Sequence, residues 1–413
     1  MKSRIAAMAT AILTSLGSLV GLAVTTTPTT ATAAPIFDPN DPFYLQQVPD
    51  GASAGQLIST QPIDPTARKI LYTSTDVHGN LVPVSGVIYE PLAAWNGAVL
   101  AFAPGTQGQG DACAPSRDPL ISIDTAHTAI GTGYEAPSII AARLRGYRVV
   151  VTDYIGLGTP GVHGYLVRAE EGNALIDAAR ATVGGEKTPV LFYGYSQGGG
   201  AAAMAAERAA SYAPDLNVVA TYAGAIPANL LKISANVDES LITGALAFSF
   251  NAYYDRYPQI RETLDSLLNA RGHAVLAAAV NGCVFDAILR DAFSDTRALT
   301  TTGQSFHEIM NQVPEFRAVS EANNIGHGTP ARPILISTSR YDDVIPADQI
   351  YDLGRTYCSR GATVDVNTNL SPAFGQKTAF NHLGAIYHDT GVALDWLTAR
   401  LHGVPAPNRC GSI

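Results

Sequence analysis

The sequence predicts an α/β fold, in which a mostly parallel central sheet is flanked by helices and carries an inserted helical cap. From about position 97 to 227, apolar β-prone runs alternate with helical runs, which is the rhythm of a parallel sheet. One strand leads into the glycine-rich turn Gly194–Gly198 and then into an alanine-rich helix. Strand-like runs then largely disappear until Pro333, while helical patterns dominate. The expected boundaries are a core of 34–227 and 327–413 and a cap of 228–326.

The predicted elements follow one another in an order that supports this fold. Two β-prone runs flank the hairpin turn His78-Gly79-Asn80, in which His78 is expected to be a turn residue. Asp153, at a strand end, is expected to fix its local loop rather than to act in catalysis. The other elements are strand Gly97–Phe102, a glycine-rich loop to Ser116, helix Ile139–Arg145, strand Tyr147–Asp153, helix Glu170–Thr182, the strand from Val190, helix Ala201–Ala210, strand Leu216–Gly224, cap helices Ile260–Ala270 and His273–Val284, strand Pro333–Thr338, the β-like run Thr363–Leu370 and a helix to about His402.

The first 33 residues have the pattern of a secretory signal peptide. Lys2 and Arg4 give a positive start, Ile5–Val24 is mostly apolar, and Ala31-Thr32-Ala33 offers a small-residue cleavage site. An uncleaved membrane anchor is the alternative, but Thr, Ser and Gly interrupt the apolar run. We therefore expect a secreted protein that is cleaved near Ala33.

Composition limits the partners and the metal chemistry. The 413 residues carry a formal net charge of −9, which argues against nucleic acid or an anionic membrane surface as the main partner. The spacing of the four cysteines matches no metal site, and no metal or organic cofactor is expected. In an exported chain four cysteines predict two disulfides, for which the sequence allows three pairings. The cysteines are Cys113, Cys283, Cys358 and Cys410. No oligomeric state is assigned from the sequence.

Ser196 is the predicted nucleophile. It sits in Gly194-Tyr-Ser-Gln-Gly198, between an apolar β-prone run and the alanine-rich helix. In a sharp strand-turn-helix junction the serine is held in a strained conformation, so the positions two before and two after it must be small. The alternative is a glycine-rich surface turn with a solvated serine, because this pattern also occurs by chance. The strand before it and the helix after it favour the catalytic interpretation.

A catalytic serine needs a general base, and the base needs a carboxylate that orients it. In this type of fold the chain order is serine, acid, histidine. Asp342 and Asp343 follow a predicted strand, at the sheet edge where catalytic groups collect. We predict Asp342 as the acid and Asp343 as the alternative, with one of them serving as a turn aspartate before a helix near Pro346.

His382 is the predicted base, because it lies in a loop between the β-like run and the last helix. His388 falls six positions later on another helical face, and His402 stands at the helix end, where a cation complements the dipole. Two backbone N–H groups should stabilise the oxyanion. One belongs to Gln197, and the other to Thr106 or Gln107 in the glycine-rich loop.

The chain contains a set of motifs that occur together: Pro104-Gly-Thr106, Cys113-Ala-Pro-Ser116, Asp153-Tyr-x-Gly-x-Gly158, Gly194-Tyr-Ser-Gln-Gly198, Asp342-Asp-Val-Ile-Pro346, His382, Trp396-Leu-x-x-Arg400 and Cys410. With these motifs it resembles the secretory lipase family, the lipase-A type of α/β-hydrolase, over nearly the whole mature chain. The resemblance implies Ser196, Asp342 and His382 as a triad beneath a helical cap, and it implies disulfides Cys113–Cys283 and Cys358–Cys410. A fungal member has an acidic residue in the oxyanion loop, where this chain reads Gly105-Thr-Gln-Gly-Gln-Gly110.

The expected function is that of a secreted serine carboxylic ester hydrolase, a lipase or esterase that forms an acyl-enzyme on Ser196. Its expected partners are small-molecule or lipid esters, with transient contact at a lipid interface. A serine peptidase or an acyltransferase of the same fold is the first alternative. A non-catalytic binding protein on this scaffold is the second, and labelling of Ser196 by a fluorophosphonate would distinguish it.

Overall fold

The computed structural model describes residues 36–117 and 120–413. The predicted signal peptide, 1–33, lies outside these described residues. Within them, no helix combines the length and the apolar character that crossing a bilayer requires.

The central sheet has nine of the strands found in the described residues, and two short strands form a separate hairpin. The strands are β1 Leu57–Asp64, β2 Ala67–Thr75, β3 Leu81–Tyr89, β4 Val99–Ala103, β5 Ile121–Asp124, β6 Ala129–Thr132, β7 Arg148–Thr152, β8 Pro189–Tyr195, β9 Asn217–Gly224, β10 Ile334–Ser339 and β11 Val364–Asn369. The order in the sheet is β1-β2-β3-β7-β4-β8-β9-β10-β11, and β5 pairs with β6.

The sheet is mostly parallel, as the sequence predicts. Strands β7, β4, β8, β9, β10 and β11 run parallel to one another, whereas β1, β2 and β3 form an antiparallel extension in which β3 pairs antiparallel with β7. The sequence reading missed β1 and the hairpin β5–β6. Strand β1 is an edge strand that contains Pro62 and is largely exposed, so it lacks the apolar pattern of the central strands.

The helices are α1 Ala136–Leu144, α2 Arg168–Arg180, α3 Gln197–Tyr212, α4 Leu230–Val237, α5 Ala245–Arg256, α6 Arg261–Leu267, α7 Ala270–Ala279, α8 Val284–Asp291, α9 Phe306–Gln312, α10 Pro314–Ala322, α11 Ala347–Ser359 and α12 Phe380–Leu401. Helices α1, α2, α3, α11 and α12 pack on the central sheet. They cover both of its faces, since successive residues of a strand point to opposite sides. Val190 and Phe192 of β8 belong to one hydrophobic cluster with residues of α2, α3 and α11, whereas Leu191 and Tyr193 belong to a second cluster with residues of α1 and α12.

Helices α4 to α10 occupy the chain between β9 and β10. The predicted helix His273–Val284 is wrong in its bounds, since α7 ends at Ala279 and α8 begins after Cys283. Cys283 is the N-cap of α8, where its backbone N–H donates to Asp286, and it is also bonded to Cys113. These long-range and capping constraints are absent from the helical periodicity on which the prediction rested.

Candidate active site

Ser196 stands at the tip of the turn between β8 and α3. Its backbone has φ 59° and ψ −122°, a strained conformation for a residue with a side chain. A Cβ at Gly194 would lie 2.0 Å from the carbonyl oxygen of Gly198, and a Cβ at Gly198 would lie 1.9 Å from that of Ala103. Both glycines are therefore required by close backbone approach. The sequence predicts small residues at both positions, and the atoms they would meet are the carbonyl oxygens of Gly198 and Ala103.

Three side chains from separate parts of the chain meet at this turn. His382 Nε2 lies 2.8 Å from Ser196 Oγ, and His382 Nδ1 lies 2.8 Å from Asp342 Oδ2. The side chain of Asp342 is fully buried and that of His382 is 4% exposed. A carboxylate accepts, so Nδ1–H donates to Asp342 and Nε2 is left to accept the serine proton. The arrangement can deprotonate the hydroxyl as it attacks an electrophile.

The structure places His382 in the first turn of α12 and not in the loop expected from the sequence. The helix begins at Phe380, directly after Ala379 with φ 60°. His388 lies on the same helix, where its side chain is more than half exposed and contacts Asp389. His402 is the residue at the C-terminal end of α12. Of these three histidines, His382 alone contacts Ser196.

The two adjacent aspartates have different contacts. Asp342 accepts from the backbone N–H groups of Val344 and Ile345 through Oδ1 and contacts His382 through Oδ2. Asp343 turns the other way, and its Oδ2 accepts from the N–H groups of Thr378 and Ala379 at 2.8 and 2.9 Å. Asp343 thus holds the segment that leads into the histidine helix.

The loop after β4 lies against the serine turn, since the carbonyl of Ala103 meets Gly198. Gly105 N–H donates to Glu135 and is occupied. The N–H groups of Thr106 and Gln107 have no hydrogen-bond acceptor within the described part of the chain, so either is available to a developing oxyanion.

Gln197, whose N–H is the other expected oxyanion donor, has a tightly bound side chain. Its Nε2 donates to Glu171 Oε1 at 3.0 Å and to His163 Nε2 at 3.1 Å. Burial lowers the pKa of His163 to about 3, so the ring is neutral and Nε2 can accept. Glu171 in turn pairs with Arg168 at 2.6 Å, and both side chains are almost completely buried. This buried network fixes the residue that follows the nucleophile.

Two disulfides are present, Cys113–Cys283 and Cys358–Cys410, and this is the pairing that the family resemblance implies. The first ties the loop after β4 to the start of α8. Backbone hydrogen bonds reinforce the link, from Gln109 N and Gly110 N to Gly282 O and from Val284 N to Gln107 O. The candidate oxyanion loop is therefore anchored to the helical segment.

The hydrogen bonds of the Asp153 carboxyl go to Ser85 and Ser116 and to none of the three triad residues. The carboxyl accepts from Ser85 Oγ at 2.6 Å and from the backbone N–H and hydroxyl of Ser116. Among the described residues, no group of three or more His, Cys, Asp or Glu side chains is arranged to hold a metal ion.

Sequence reasoning missed Glu135 and the Arg168–Glu171 pair. Glu135 follows no recognisable motif, so its burial could not be foreseen. Arg168 and Glu171 are spaced i, i+3 on a helix that continues with Gly172-Asn-Ala174, small residues that allow close packing. The i, i+3 spacing of opposite charges, followed by small residues, was the local sequence signal of a buried ion pair.

Comparison with known proteins gives a consistent assignment. The secretory lipase family model matches residues 122–409. A secreted triacylglycerol lipase of Malassezia globosa is 24% identical over 409 residues, covering 91% of this chain and 84% of that protein. A Mycobacterium tuberculosis protein described as a probable inactive lipase is 27% identical over 402 residues, covering 90% of this chain and 84% of that protein.

Solved structures agree in fold. Candida antarctica lipase A in its closed state matches with a TM-score of 0.72 at 21% identity, covering 90% of this chain and 88% of that chain. The rice cell wall degrading esterase LipA from Xanthomonas oryzae matches with a TM-score of 0.69 at 20% identity, covering 83% of this chain and 99% of that chain. The fold is that of an α/β-hydrolase. With a family model that spans more than half of its length, the chain belongs to the secretory lipase family.

Proposed function

We propose that this protein is a secreted carboxylic ester hydrolase that works through an acyl-enzyme on Ser196. The observation that carries the proposal is the unbroken hydrogen-bonded chain from Ser196 Oγ through His382 to Asp342, with both contacts at 2.8 Å. A hydroxyl, an imidazole and a buried carboxylate in this order are the parts that serine acyl transfer needs.

The reaction has two acyl transfers. Ser196 Oγ attacks the ester carbonyl while His382 Nε2 takes its proton, and the oxyanion is stabilised by the N–H of Gln197 and by that of Thr106 or Gln107. The imidazolium then gives its proton to the leaving alcohol. Water enters, loses a proton to Nε2 and attacks the acyl-enzyme, after which the acid leaves and Oγ is reprotonated. Asp342 holds the imidazole tautomer throughout.

The proposed substrates are lipid or small-molecule carboxylic esters. Relatives named as secreted triacylglycerol lipases and a structural neighbour named as a cell wall degrading esterase support this class. Secretion is supported by the same relatives and by the N-terminal sequence pattern. A peptidase or an acyltransferase would use the same triad, so hydrolysis of a p-nitrophenyl ester must be compared with cleavage of a peptide anilide and with transfer to added alcohol.

We also propose that 228–326 acts as a cap over the site. Leu241 N–H donates to Lys377 O, and Lys377 Nζ donates to Asp238 O at 2.7 Å, which joins this segment to the loop before the histidine helix. The bond between Cys113 and Cys283 joins the segment to the oxyanion loop. Both contacts support a helical segment that borders the catalytic residues.

The test is turnover of a short p-nitrophenyl ester by Ser196→Ala. We expect a loss of about 10³-fold or more in kcat, as for serine-triad enzymes in general. Ser211→Ala is the matched control, because Ser211 is exposed near the far end of the same helix. Turnover close to that of the parent in Ser196→Ala would overturn the proposal. One relative is described as a probable inactive lipase, so the parent's own turnover is the first measurement.

A further inference from the structure

A buried carboxyl group is hydrogen-bonded to the candidate oxyanion loop. Glu135 stands at the start of α1 and is 4% exposed. Its Oε2 accepts from the backbone N–H of Gly105 at 2.8 Å and from Gln107 Nε2 at 3.4 Å. The carboxyl therefore contacts the residues on either side of Thr106.

The preceding residue holds the same loop from a second direction. Tyr134 donates its hydroxyl to the carbonyl of Thr106 at 3.1 Å, and a Cβ at Gly105 would come within 2.5 Å of that hydroxyl oxygen. Tyr387 of α12, the histidine helix, donates to the carbonyl of Tyr134 at 2.9 Å. Tyr134 thus holds the peptide between Thr106 and Gln107, and Glu135 holds the N–H of Gly105. Tyr387 connects Tyr134 to the helix that carries His382.

We propose that Glu135 is a positioning residue of the oxyanion loop, which it supports in its neutral form, so that its ionisation lowers the rate of acyl transfer. This inference rests on the proposed function. Glu135 acts through the backbone of Gly105 and through Gln107, and it does not contact Ser196.

The surroundings of Glu135 favour the neutral acid. Burial raises the pKa of Glu135 to about 8, and a backbone hydrogen bond offsets this only in part. Among the described residues, the titratable side chains that face it are tyrosines from four elements: Tyr134 before α1, Tyr154 after β7, Tyr193 of β8 and Tyr387 of α12. The pKa of each is raised, mainly by burial, so none supplies a charge. Both hydrogen bonds go to Oε2, which leaves Oε1 to carry the proton.

Ionisation of Glu135 would place a negative charge behind the groups that must stabilise an oxyanion. The charge opposes the developing negative charge in a region shielded from water, where electrostatic interactions are strong. The activity of the parent enzyme should therefore fall by about tenfold or more between pH 7 and pH 9.5, with a midpoint near the pKa of about 8.

The experiment is a pH profile of kcat and KM for hydrolysis of a short alkyl ester, followed by pH-stat titration. Glu135→Ala should lower kcat at pH 7 by about 10- to 100-fold with KM within about threefold. Glu135→Gln keeps an oxygen that can accept from the N–H of Gly105, so its kcat at pH 7 should be close to that of the parent. Because it cannot ionise, its activity should not show the decline between pH 7 and pH 9.5, which is called the alkaline decline below. Tyr134→Phe should lower kcat but keep the alkaline decline, because the carboxyl remains.

Glu321→Gln is the matched control, since Glu321 is an exposed carboxylate on α10 and should leave both kcat and the alkaline decline unchanged. Thermal unfolding at each pH separates loss of structure from loss of rate. An alkaline decline that persists in Glu135→Gln overturns the inference, and so does a parent profile that stays flat to pH 9.5. If Glu135→Ala does not fold, the near-isosteric Glu135→Gln carries the test.

Labelling of Ser196 tests the proposed function independently of the role of Glu135. A parent enzyme that a fluorophosphonate does not label at Ser196 would overturn the proposed function and the inference with it. A labelled, active enzyme whose alkaline decline is the same in Glu135→Gln would overturn only the role of Glu135.

Discussion

Opening the Cys113–Cys283 bond should damage catalysis more than opening Cys358–Cys410, although both changes destabilise the protein by similar amounts. The first bond closes a loop with a sequence separation of 170 and the second one of 52. From loop-closure entropy, the two bonds contribute at most about 5 and about 4 kcal/mol, respectively, to the free energy of unfolding. The difference in stability is therefore about 1 kcal/mol.

The difference in catalysis should be larger, because the two bonds hold different structures. Cys113–Cys283 anchors the loop that carries Thr106 and Gln107, whereas Cys358–Cys410 joins the end of α11 to the C-terminal segment. Without the first bond, hydrogen bonds alone hold the loop to the helical segment in the described part of the chain: backbone bonds next to α8 and the Gln109 side chain to Phe248 and Asn251 of α5. We expect kcat to fall by about tenfold, as for partial loss of an oxyanion donor.

The assay compares two double variants, Cys113→Ser with Cys283→Ser and Cys358→Ser with Cys410→Ser. Urea unfolding gives the free energy of unfolding of each, and kcat on a soluble ester is measured well below the unfolding midpoint. The first pair should lose stability and kcat, and the second pair only stability. Equal losses of kcat in the two variants would refute the assignment of the first disulfide to the oxyanion loop.

Three further predictions concern single residues. Asp343→Ala removes the acceptor for Thr378 and should lower kcat by about tenfold, whereas Asp343→Asn keeps an oxygen there and should recover activity; an equal loss in both would contradict a positioning role. Asp153→Asn should flatten the pH dependence of stability. Burial raises the pKa of Asp153 to about 6, above its ordinary value. Ionisation of this group as the pH rises from about 4 to about 6 should therefore lower the free energy of unfolding of the parent by up to about 3 kcal/mol. Urea unfolding of the parent and of Asp153→Asn at pH 4 and pH 7 measures the change. Gly194→Ala forces a Cβ to within 2.0 Å of the carbonyl oxygen of Gly198 and should lower Tm by several degrees; an unchanged Tm would contradict the steric argument.

The parts that the sequence predicted well are those set by local rules. The turn around Ser196 follows from the need for small residues at two backbone contacts, and the parallel strands follow from buried apolar runs. Asp342 and Asp343 were predicted because they follow the end of a strand downstream of the serine, and His382 because it lies after them in the chain order of serine, acid and histidine. The structure brings Asp342 and His382 to Ser196.

The parts that the sequence could not predict depend on distant contacts. The start of α12 at Phe380 is set by Ala379 in a left-handed conformation and by Asp343, which binds the preceding N–H groups across the gap between two segments. In the sequence, Glu135 and Glu171 look like ordinary acids near the start of a helix. Glu135 is buried against the loop that contains Gly105, and Glu171 is buried in its ion pair with Arg168. The edge strand β1 lacks apolar alternation because most of it is exposed.

The most direct test of the central claim is the rate at which a fluorophosphonate labels Ser196, measured by peptide mass spectrometry. The structure predicts a single adduct on Ser196 in the parent and a rate about 10³-fold lower in His382→Ala, because Nε2 activates the hydroxyl from 2.8 Å. Ser196→Ala should give no adduct, and His388→Ala should label as the parent does, since His388 does not contact the serine. Absence of an adduct in the folded parent, or equal labelling rates in His382→Ala and the parent, would contradict the claim that Ser196 is activated by His382.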